Sequence, residues 1–195
     1  MGRRKRIEDD ALLAIARDVF VADGFGASTR EIARRAEVSE AILFQRFRTK
    51  PELFFAAMVP PAPDIEAILA APQAEIGPSV QLEEIAVRML EYFREITPVL
   101  LPLIAHPGFD YEDFTRRNPE APLNRLVEAL LGWLGEREGA GASEKRSADI
   151  AAMTLVMSLM SLAMLERMGV HGGETDEATV RDVARLVWRG LVAPD

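Results

Sequence analysis

The sequence predicts an all-α protein with two helical domains. Apolar residues recur with a helical period along nearly every segment with an ordered pattern, and no segment alternates as a half-buried strand does. Apolar residues make up 49% of the 195 residues, which is a globular composition on a chain long enough to bury a core. Prolines at 59–63 (VPPAP), Pro72 and Pro78 then interrupt the helical pattern, and Pro98, Pro102 and Pro107 interrupt a later apolar stretch. We therefore expect one domain at 1–52 and a second at 53–195.

The charge of the chain is distributed unevenly between these two parts. The whole chain has 23 Lys and Arg against 31 Asp and Glu, a net charge of −8. Residues 1–50 have eleven basic and eight acidic side chains, whereas residues 51–195 have twelve and twenty-three. This asymmetry makes the first domain the candidate for binding nucleic acid. A solvated surface of mixed charge would explain the same numbers, so charge alone does not identify a nucleic-acid-binding domain.

The composition excludes several kinds of chemistry. With no cysteine, the chain has no disulfide, thiolate metal site or cysteine nucleophile, and its two histidines lie 65 residues apart. The paired carboxylates Glu83–Glu84 and Glu112–Asp113 are adjacent in sequence, so they point apart on a helix or loop. There is no glycine-rich phosphate loop or nucleophile motif. The sequence therefore predicts neither an enzyme nor a cofactor or metal site.

No secretory signal or membrane helix is expected. The basic residues Arg3–Arg6 are followed by the acidic residues 8–10 instead of an apolar stretch. The run Ile150–Leu165 is uncharged but has sixteen residues, fewer than the roughly 20 that span a bilayer. We expect a buried or interface helix there, in a cytoplasmic protein.

Four short helices are predicted for the first domain. The first spans about 7–22 and ends at Gly24, and the second begins at Ser28 with Glu31 completing a capping box. The third helix covers about 40–47. The N-caps of the third and fourth helices are Ser39 and Thr49.

Residues 28–47 have a helix–short turn–helix layout in which the second helix can lie in the major groove of DNA. On that helix Gln45 can read adenine, and Arg46 can read guanine or bind a phosphate. A short turn occurs in any helical bundle, so the layout alone does not identify the fold. The predicted DNA contacts are Arg4, Lys5, Arg6, Ser28, Thr29, Arg30, Ser39, Glu40, Ala41, Phe44, Gln45, Arg46 and Lys50.

The residues in this region form a more specific pattern, GFGASTREIARRAEVSEAILFQRFRTKPELF at 24–54. It resembles the N-terminal domain of the TetR/AcrR family of bacterial transcriptional regulators, and the resemblance covers about a quarter of the chain. The pattern departs from the family at Glu37 and Ala41, where glycine is usual, at Phe44, where tyrosine is common, and in a short 24–28 loop. A left-handed turn at Glu37 would cost about 1 kcal/mol.

The resemblance implies a homodimer formed by the last two helices, predicted at about 144–168 and 176–192. It also implies a ligand pocket within the second domain. The same side chains would also fit the core of a monomer. The candidate interface residues are Met153, Met157, Met160, Met164, Val180, Val183, Val187 and Leu191. The candidate ligand contacts, chosen because pockets are rich in aromatic rings and methionine, are Tyr92, Phe93, His106, Phe109, Tyr111, Trp133, Met157 and Met160.

Two functions remain open at this point. The resemblance favours a ligand-responsive regulator, typically a repressor that leaves its operator when a small molecule binds the second domain. The alternative is a DNA-bound factor that uses the second domain to bind other proteins and has no small-molecule ligand.

Overall fold

The computed structural model describes residues 8–70, 77–119, 122–135, 142–170 and 172–192. Within these ranges the chain forms ten helices and no strand. The all-α prediction is therefore confirmed. The helices are α1 (Asp9–Asp23), α2 (Thr29–Arg35), α3 (Glu40–Arg46), α4 (Lys50–Ala57), α5 (Ile65–Leu69), α6 (Pro78–Ile104), α7 (Tyr111–Arg117), α8 (Pro122–Gly135), α9 (Ala142–Arg167) and α10 (Glu177–Val192).

The helices fall into two compact units that do not follow the order of the chain. The first unit combines Met1–Pro60 with Pro98–Arg117, and the second combines Pro61–Thr97 with Asn118–Asp195. The sequence predicted a domain boundary after residue 52, which stays a prediction. It did not anticipate that a later segment would join the first unit.

The first unit has one continuous apolar core. Leu12 and Phe20 of α1, Leu43 of α3 and Phe54 of α4 are fully buried in it, together with Leu103 from the end of α6. Removing a large side chain from such a core costs about 2–5 kcal/mol, because a cavity remains. These contacts determine where the short α3 lies, since a seven-residue helix is not stable by itself.

Of the three predicted N-cap side chains, Ser39 and Thr49 are confirmed and Ser28 is wrong. Ser39 Oγ accepts a hydrogen bond from the Ile42 N–H (3.3 Å), and Thr49 Oγ1 accepts one from the Glu52 N–H (3.2 Å). Ser28 does precede α2, but its hydroxyl caps no backbone group.

The capping box at Ser28 fails because its acidic partner is engaged elsewhere. The Glu31 carboxylate accepts hydrogen bonds from Arg34 (2.7 and 2.8 Å) and Arg35 (2.7 Å). These three hydrogen bonds are charge-assisted, and two guanidinium groups share the one carboxylate. Glu31 therefore remains on its own helix face and does not reach back to Ser28.

The turn between α2 and α3 has the expected backbone conformation. Glu37 has φ of 55°, which lies in the left-handed region. The conformation predicted from the usual glycine is therefore confirmed, and the chain accepts its cost of about 1 kcal/mol.

The prolines in α6 were predicted to interrupt the helix, and this is wrong. Pro98 and Pro102 both lie inside α6, which is continuous from Pro78 to Ile104. Each internal proline removes one backbone hydrogen bond and costs about 3 kcal/mol. Burial of Val99, between the two prolines, offsets part of this cost, and the Thr97 hydroxyl donates to the Phe93 carbonyl at 2.6 Å.

The long apolar helix α9 packs against α8 and α10 within the second unit. Its stretch Arg146–Arg167 is long and apolar enough to cross a membrane by length and composition alone, and 39% of that helix's most apolar window is buried in the protein. Ala152, Leu155 and Leu159 are fully buried. One side of α9 therefore packs into the second unit, whereas Ile150, Met153 and Met157 remain exposed.

Ion pairs join distant helices in the second unit. Arg94 of α6 donates to both carboxylate oxygens of Glu166 on α9, at 2.8 and 3.0 Å, and to the Thr175 carbonyl at 2.8 Å. The Thr175 N–H in turn donates to Glu166 at 2.7 Å. Glu166 is 7% exposed, and its hydrogen bonds from Arg94, aided by Thr175, lower its pKa to about 2.

We predict that Glu166→Gln destabilises the protein at pH 7 by about 3 kcal/mol. The pKa of this carboxyl is about 2 in the folded chain against an ordinary value of 4.5. Its stabilising effect is therefore complete above pH 4.5 and is lost as the pH falls towards 2. The difference between the two proteins should shrink over that range. Urea unfolding at several pH values would measure it.

The matched control is Glu177→Gln, which breaks the exposed ion pair between Glu177 and Arg181 on α10. Exposed pairs contribute about 0–1 kcal/mol, so this variant should unfold nearly as the parent does. A Glu166→Gln loss no larger than that of the control would show that the Arg94 pair is not stabilising.

Candidate nucleic-acid interface

Helix α3 presents one exposed face of three residues. Leu43 is fully buried and Ile42 is half-buried, so the helix is anchored on one side. Ala41, Phe44 and Gln45 lie at positions i, i+3 and i+4 and are all exposed. This face has the width and chemistry to enter a major groove, with an amide at Gln45 that can pair with adenine.

The acidic residue at the start of α3 contacts the start of α2. Glu40 accepts a hydrogen bond from the Thr29 hydroxyl (2.8 Å), and its carboxylate lies 3.6 Å from the Arg30 Nε. The Arg30 side chain remains 87% exposed. Glu40 therefore connects the two helices and leaves the Arg30 guanidinium accessible to a phosphate.

Arg46 lies where the sequence did not predict it. It was expected on the outward face, but its side chain is 19% exposed and its guanidinium donates to Asp9 of α1 at 2.8 Å. Arg46 is the last residue of α3, and a basic group there is also favoured by the helix dipole. Reading a base would require it to leave Asp9.

The remaining predicted DNA contacts lie outside α3. Lys50, the first residue of α4, has its Nζ 4.9 Å from the centroid of the Phe25 ring. Ser28 is exposed, whereas Ser39 is half-buried because its hydroxyl caps α3. Arg4, Lys5 and Arg6 lie outside the residues that the structure describes.

Carboxylates accompany most of the basic side chains of this surface. Arg30 is near Glu40, and Arg34 and Arg35 bind Glu31. The hydrogen bonds from Arg34 and Arg35 lower the pKa of Glu31 to about 2, so its carboxyl stays ionised. Exposed pairs of this kind are worth about 0–1 kcal/mol, so a DNA phosphate can replace the carboxylate as the partner of an arginine.

The candidate ligand contacts do not form one set within a single unit. His106, Phe109 and Tyr111 belong to the 98–117 segment of the first unit, and the other candidates belong to the second unit. His106 follows the end of α6, and Tyr111 is 52% exposed.

The second-unit candidates differ in burial. Tyr92, Phe93 and Trp133 are buried, Met160 is half-buried and Met157 is 40% exposed. The Tyr92 hydroxyl donates to the Pro61 carbonyl at 2.7 Å, and its burial, with a smaller effect of Glu95, raises its pKa. Tyr92 therefore already has a structural hydrogen bond.

The candidate dimer residues need one correction. Val180 is 1% exposed because it packs into its own unit, so it cannot face a partner. Met153 is 58% exposed, and Met160, Met164, Val183, Val187 and Leu191 are half-buried.

Two exposed residues that were not among the predicted interface residues extend an apolar face on the second unit. Ile150 is 59% exposed on α9, and Leu186 is 67% exposed on α10. Ile150 precedes Met153 by three residues and Leu186 follows Val183 by three, a helical spacing that could have identified them. With Thr154, Val187, Gly190 and Leu191 they line an open groove between α9 and α10.

The carboxyls whose pKa values arginines lower, those of Glu31 and Glu166, do not resemble a catalytic acid. The pKa values of both Glu31 and Glu166 are lowered by arginine hydrogen bonds, which is the behaviour of structural ion pairs. In the part of the chain that the structure describes, no three His, Asp or Glu residues are grouped as metal ligands.

The sequence matches one protein-family model. Residues 12–57 match the model for bacterial regulatory proteins of the TetR family. This range contains most of α1 and all of α2 to α4. No curated protein is similar enough to this sequence to count as a match.

Solved structures of TetR-family proteins have a similar fold. A TetR-family protein from Mesorhizobium loti MAFF303099 is 19% identical with a TM-score of 0.68, and the alignment covers 93% of both chains. A TetR-like transcriptional regulator from Rhodococcus sp. RHA1 is 25% identical with a TM-score of 0.59, covering 97% of this chain and 100% of that one. A TetR variant from Acinetobacter baumannii AYE in complex with minocycline is 18% identical, with a TM-score of 0.56 and coverage of 95% and 96%.

The resemblance to TetR-family regulators is therefore confirmed, both by the family model and by the fold. The chain has a TetR-type helix-turn-helix DNA-binding domain in which α2 and α3 are the two helices of the motif.

We predict that Gln45→Ala weakens binding to the chain's specific DNA site by about 1–3 kcal/mol. Binding to a random duplex should be unchanged, because Gln45 is exposed on the outward face of α3 and carries no charge. Fluorescence anisotropy with both duplexes measures the two effects. An equal loss on both duplexes would remove Gln45 from base reading.

Asp9→Asn tests the position of Arg46 in the same assay. If Arg46 contacts DNA only after leaving Asp9, this change should raise the affinity. If Arg46 instead connects α3 to α1, it should lower the unfolding temperature and leave the affinity unchanged or reduced.

Proposed function

We propose that this chain, which has the TetR-type DNA-binding domain and fold, is a homodimeric transcriptional regulator that responds to a small molecule. In this proposal α3 of each subunit enters the major groove of an operator. Binding of a ligand to the second unit then releases the DNA, so that the protein acts as a cytoplasmic repressor and not as an enzyme. The main support is the exposed face of Ala41, Phe44 and Gln45 on a helix anchored by Leu43.

The charges around α3 support binding to double-stranded DNA. The major groove is about 12 Å wide and accepts one helix with its side chains. Arg30 at the start of α2 and Lys50 at the start of α4 lie on the helices before and after α3. Such flanking cations bind phosphates and determine the register in which α3 meets the bases.

The exposed apolar face of α9 and α10 supports a dimer. Ile150, Met153, Met157 and Leu186 are 40–67% exposed. An apolar patch of this kind on a globular protein marks an interaction surface. A second copy fits it, because a two-fold axis brings the same patch on both subunits together and provides two DNA-binding heads.

Two observations support a response to a ligand. The similar structure from Acinetobacter baumannii contains minocycline. In this chain the second unit holds Tyr92, Phe93 and Trp133 among its buried side chains, and aromatic rings of this kind line small-molecule pockets. A regulator that uses its second unit to bind other proteins would have the same DNA-binding domain. It would not release its DNA when a small molecule is added.

The test is anisotropy titration of the purified protein with the intergenic DNA beside its own gene, at two salt concentrations. We expect saturable binding that exceeds binding to competitor DNA, and we expect one compound of a small-molecule library to reverse it. Operator binding that no compound reverses would favour the protein-interaction factor. Binding no tighter than to random DNA at every tested promoter would contradict the proposal.

We predict that Met153→Glu prevents dimerisation without unfolding the subunit. Met153 is 58% exposed, so the charge stays in water in the monomer but would be buried in the dimer. Light scattering should give the monomer mass. Affinity for a two-half-site operator should fall by about 10²-fold, because the second head no longer binds intramolecularly.

The matched control for this prediction is Val80→Glu, since Val80 is also an exposed apolar residue (43%) of the second unit but lies on α6. This variant should remain dimeric. A Met153→Glu protein that is also dimeric would place the interface elsewhere.

A further inference from the structure

An aromatic cluster surrounds His106 within the first unit. The imidazole centroid lies 4.4 Å from the Phe25 ring and 4.9 Å from the Phe55 ring, both edge-to-face, and 5.2 Å from the Phe54 ring. Phe25 also meets Phe54 edge-to-face at 5.2 Å. His106, from the segment after α6, is therefore in contact with rings from the α1–α2 loop and from α4.

Phe25 connects this cluster to a predicted DNA contact. The Lys50 ammonium lies 4.9 Å from the Phe25 ring centroid, a cation–π geometry. Phe25 is 37% exposed and lies in the loop between α1 and α2, where the helical backbone does not hold it. Its orientation therefore depends on its two ring neighbours, His106 and Phe54.

The orientation of the His106 ring is itself determined by the turn that follows α6. The Gly108 N–H donates to His106 Nδ1 at 3.0 Å, and the Phe109 N–H donates to the His106 carbonyl at 2.9 Å. A Cβ atom at Gly108 would lie 3.3 Å from both Cε1 and Nδ1 of the imidazole. This is closer than ordinary van der Waals contact, so the position favours glycine as long as His106 keeps its place.

We propose that His106 is a positioning residue for DNA binding. Its imidazole holds the Phe25 ring, and the Phe25 ring holds the Lys50 ammonium where a DNA phosphate can meet it. Without His106 the Phe25 ring loses its support, and the Lys50 ammonium is no longer held within reach of that phosphate. This inference rests on the proposed function, because it assigns a role in the same DNA contact.

The first test is His106→Ala, assayed on the operator and on random DNA over a series of salt concentrations. Affinity should fall about two- to fivefold on both duplexes, the range of an exposed cation–π contact. The plot of log K against log[salt] should become shallower by about one, as expected for Lys50→Ala, because one phosphate contact is lost. The double variant with Lys50→Ala should show no further loss, and His106→Phe should restore most of the affinity.

The second variant, Gly108→Ala, tests the same contact without removing the imidazole. The added methyl group should displace the ring and flatten the salt dependence in the same way. The control is Phe114→Leu, which alters the Phe109–Phe114 ring pair of the same segment and should leave the salt slope unchanged.

The outcomes separate this inference from the proposed function. A merely structural role for His106 would lower the unfolding temperature and leave the salt slope of the folded protein as in the parent, which would overturn the inference. A Lys50→Ala protein that binds its operator with unchanged affinity and an unchanged salt slope would overturn it as well. If the parent protein binds no DNA, the proposed function fails first.

Discussion

The burial of Phe54 is the constraint on which the first unit depends. Its ring is fully buried and meets the rings of Phe20, Phe25, Phe55 and His106 at 5.1–5.6 Å. These neighbours come from α1, the following loop, α4 and the segment after α6, so one side chain brings four parts of the chain together. Burying a phenylalanine contributes about 1.5–3 kcal/mol, and each edge-to-face ring pair adds about 0.5–1.5 kcal/mol. The position of α3 follows from this core, because α3 has one fully buried anchor, Leu43, and is too short to be stable alone.

In the same unit, arginine side chains can exchange their carboxylate partners for DNA phosphates. Glu31, Glu40 and Asp9 each lie within ion-pair distance of arginines on or beside the helix-turn-helix. In the absence of DNA these carboxylates hold the arginine side chains in defined places and reduce repulsion between them. DNA phosphates then compete with weak exposed pairs, so binding of this kind is reversible and sensitive to salt. This explains how a chain with a net charge of −8 can have a DNA-binding surface, since the field that matters is local.

The features that the sequence predicts correctly are local ones. The caps at Ser39 and Thr49 and the left-handed turn at Glu37 involve neighbours within a few residues, and all three are confirmed. The failures have partners that a local pattern does not contain. Arg46 turns towards Asp9, which lies 37 residues away, and α6 continues through Pro98, where burial of Val99 in the core of the first unit offsets part of the cost. The outward face of α3 was predictable from helical spacing alone, whereas the roles of Ile150 and Leu186 depend on which side of α9 and α10 is already covered.

The first unit includes a segment of the chain, residues 98–117, that lies outside the family model of the DNA-binding domain. The family model ends at residue 57, yet the core that holds α1 and α4 also contains Val99 and Leu103, and the aromatic cluster contains His106. A fragment ending near residue 60 would expose the surfaces that these three side chains cover, and a domain of about 60 residues has little stability to spare. The segment 98–117 is therefore part of the first unit in physical terms, although residues 61–97 separate it from the rest of that unit in sequence. A change in the conformation of this segment would alter the packing around Phe25 and Phe54, and with it the position of Lys50 beside the Phe25 ring.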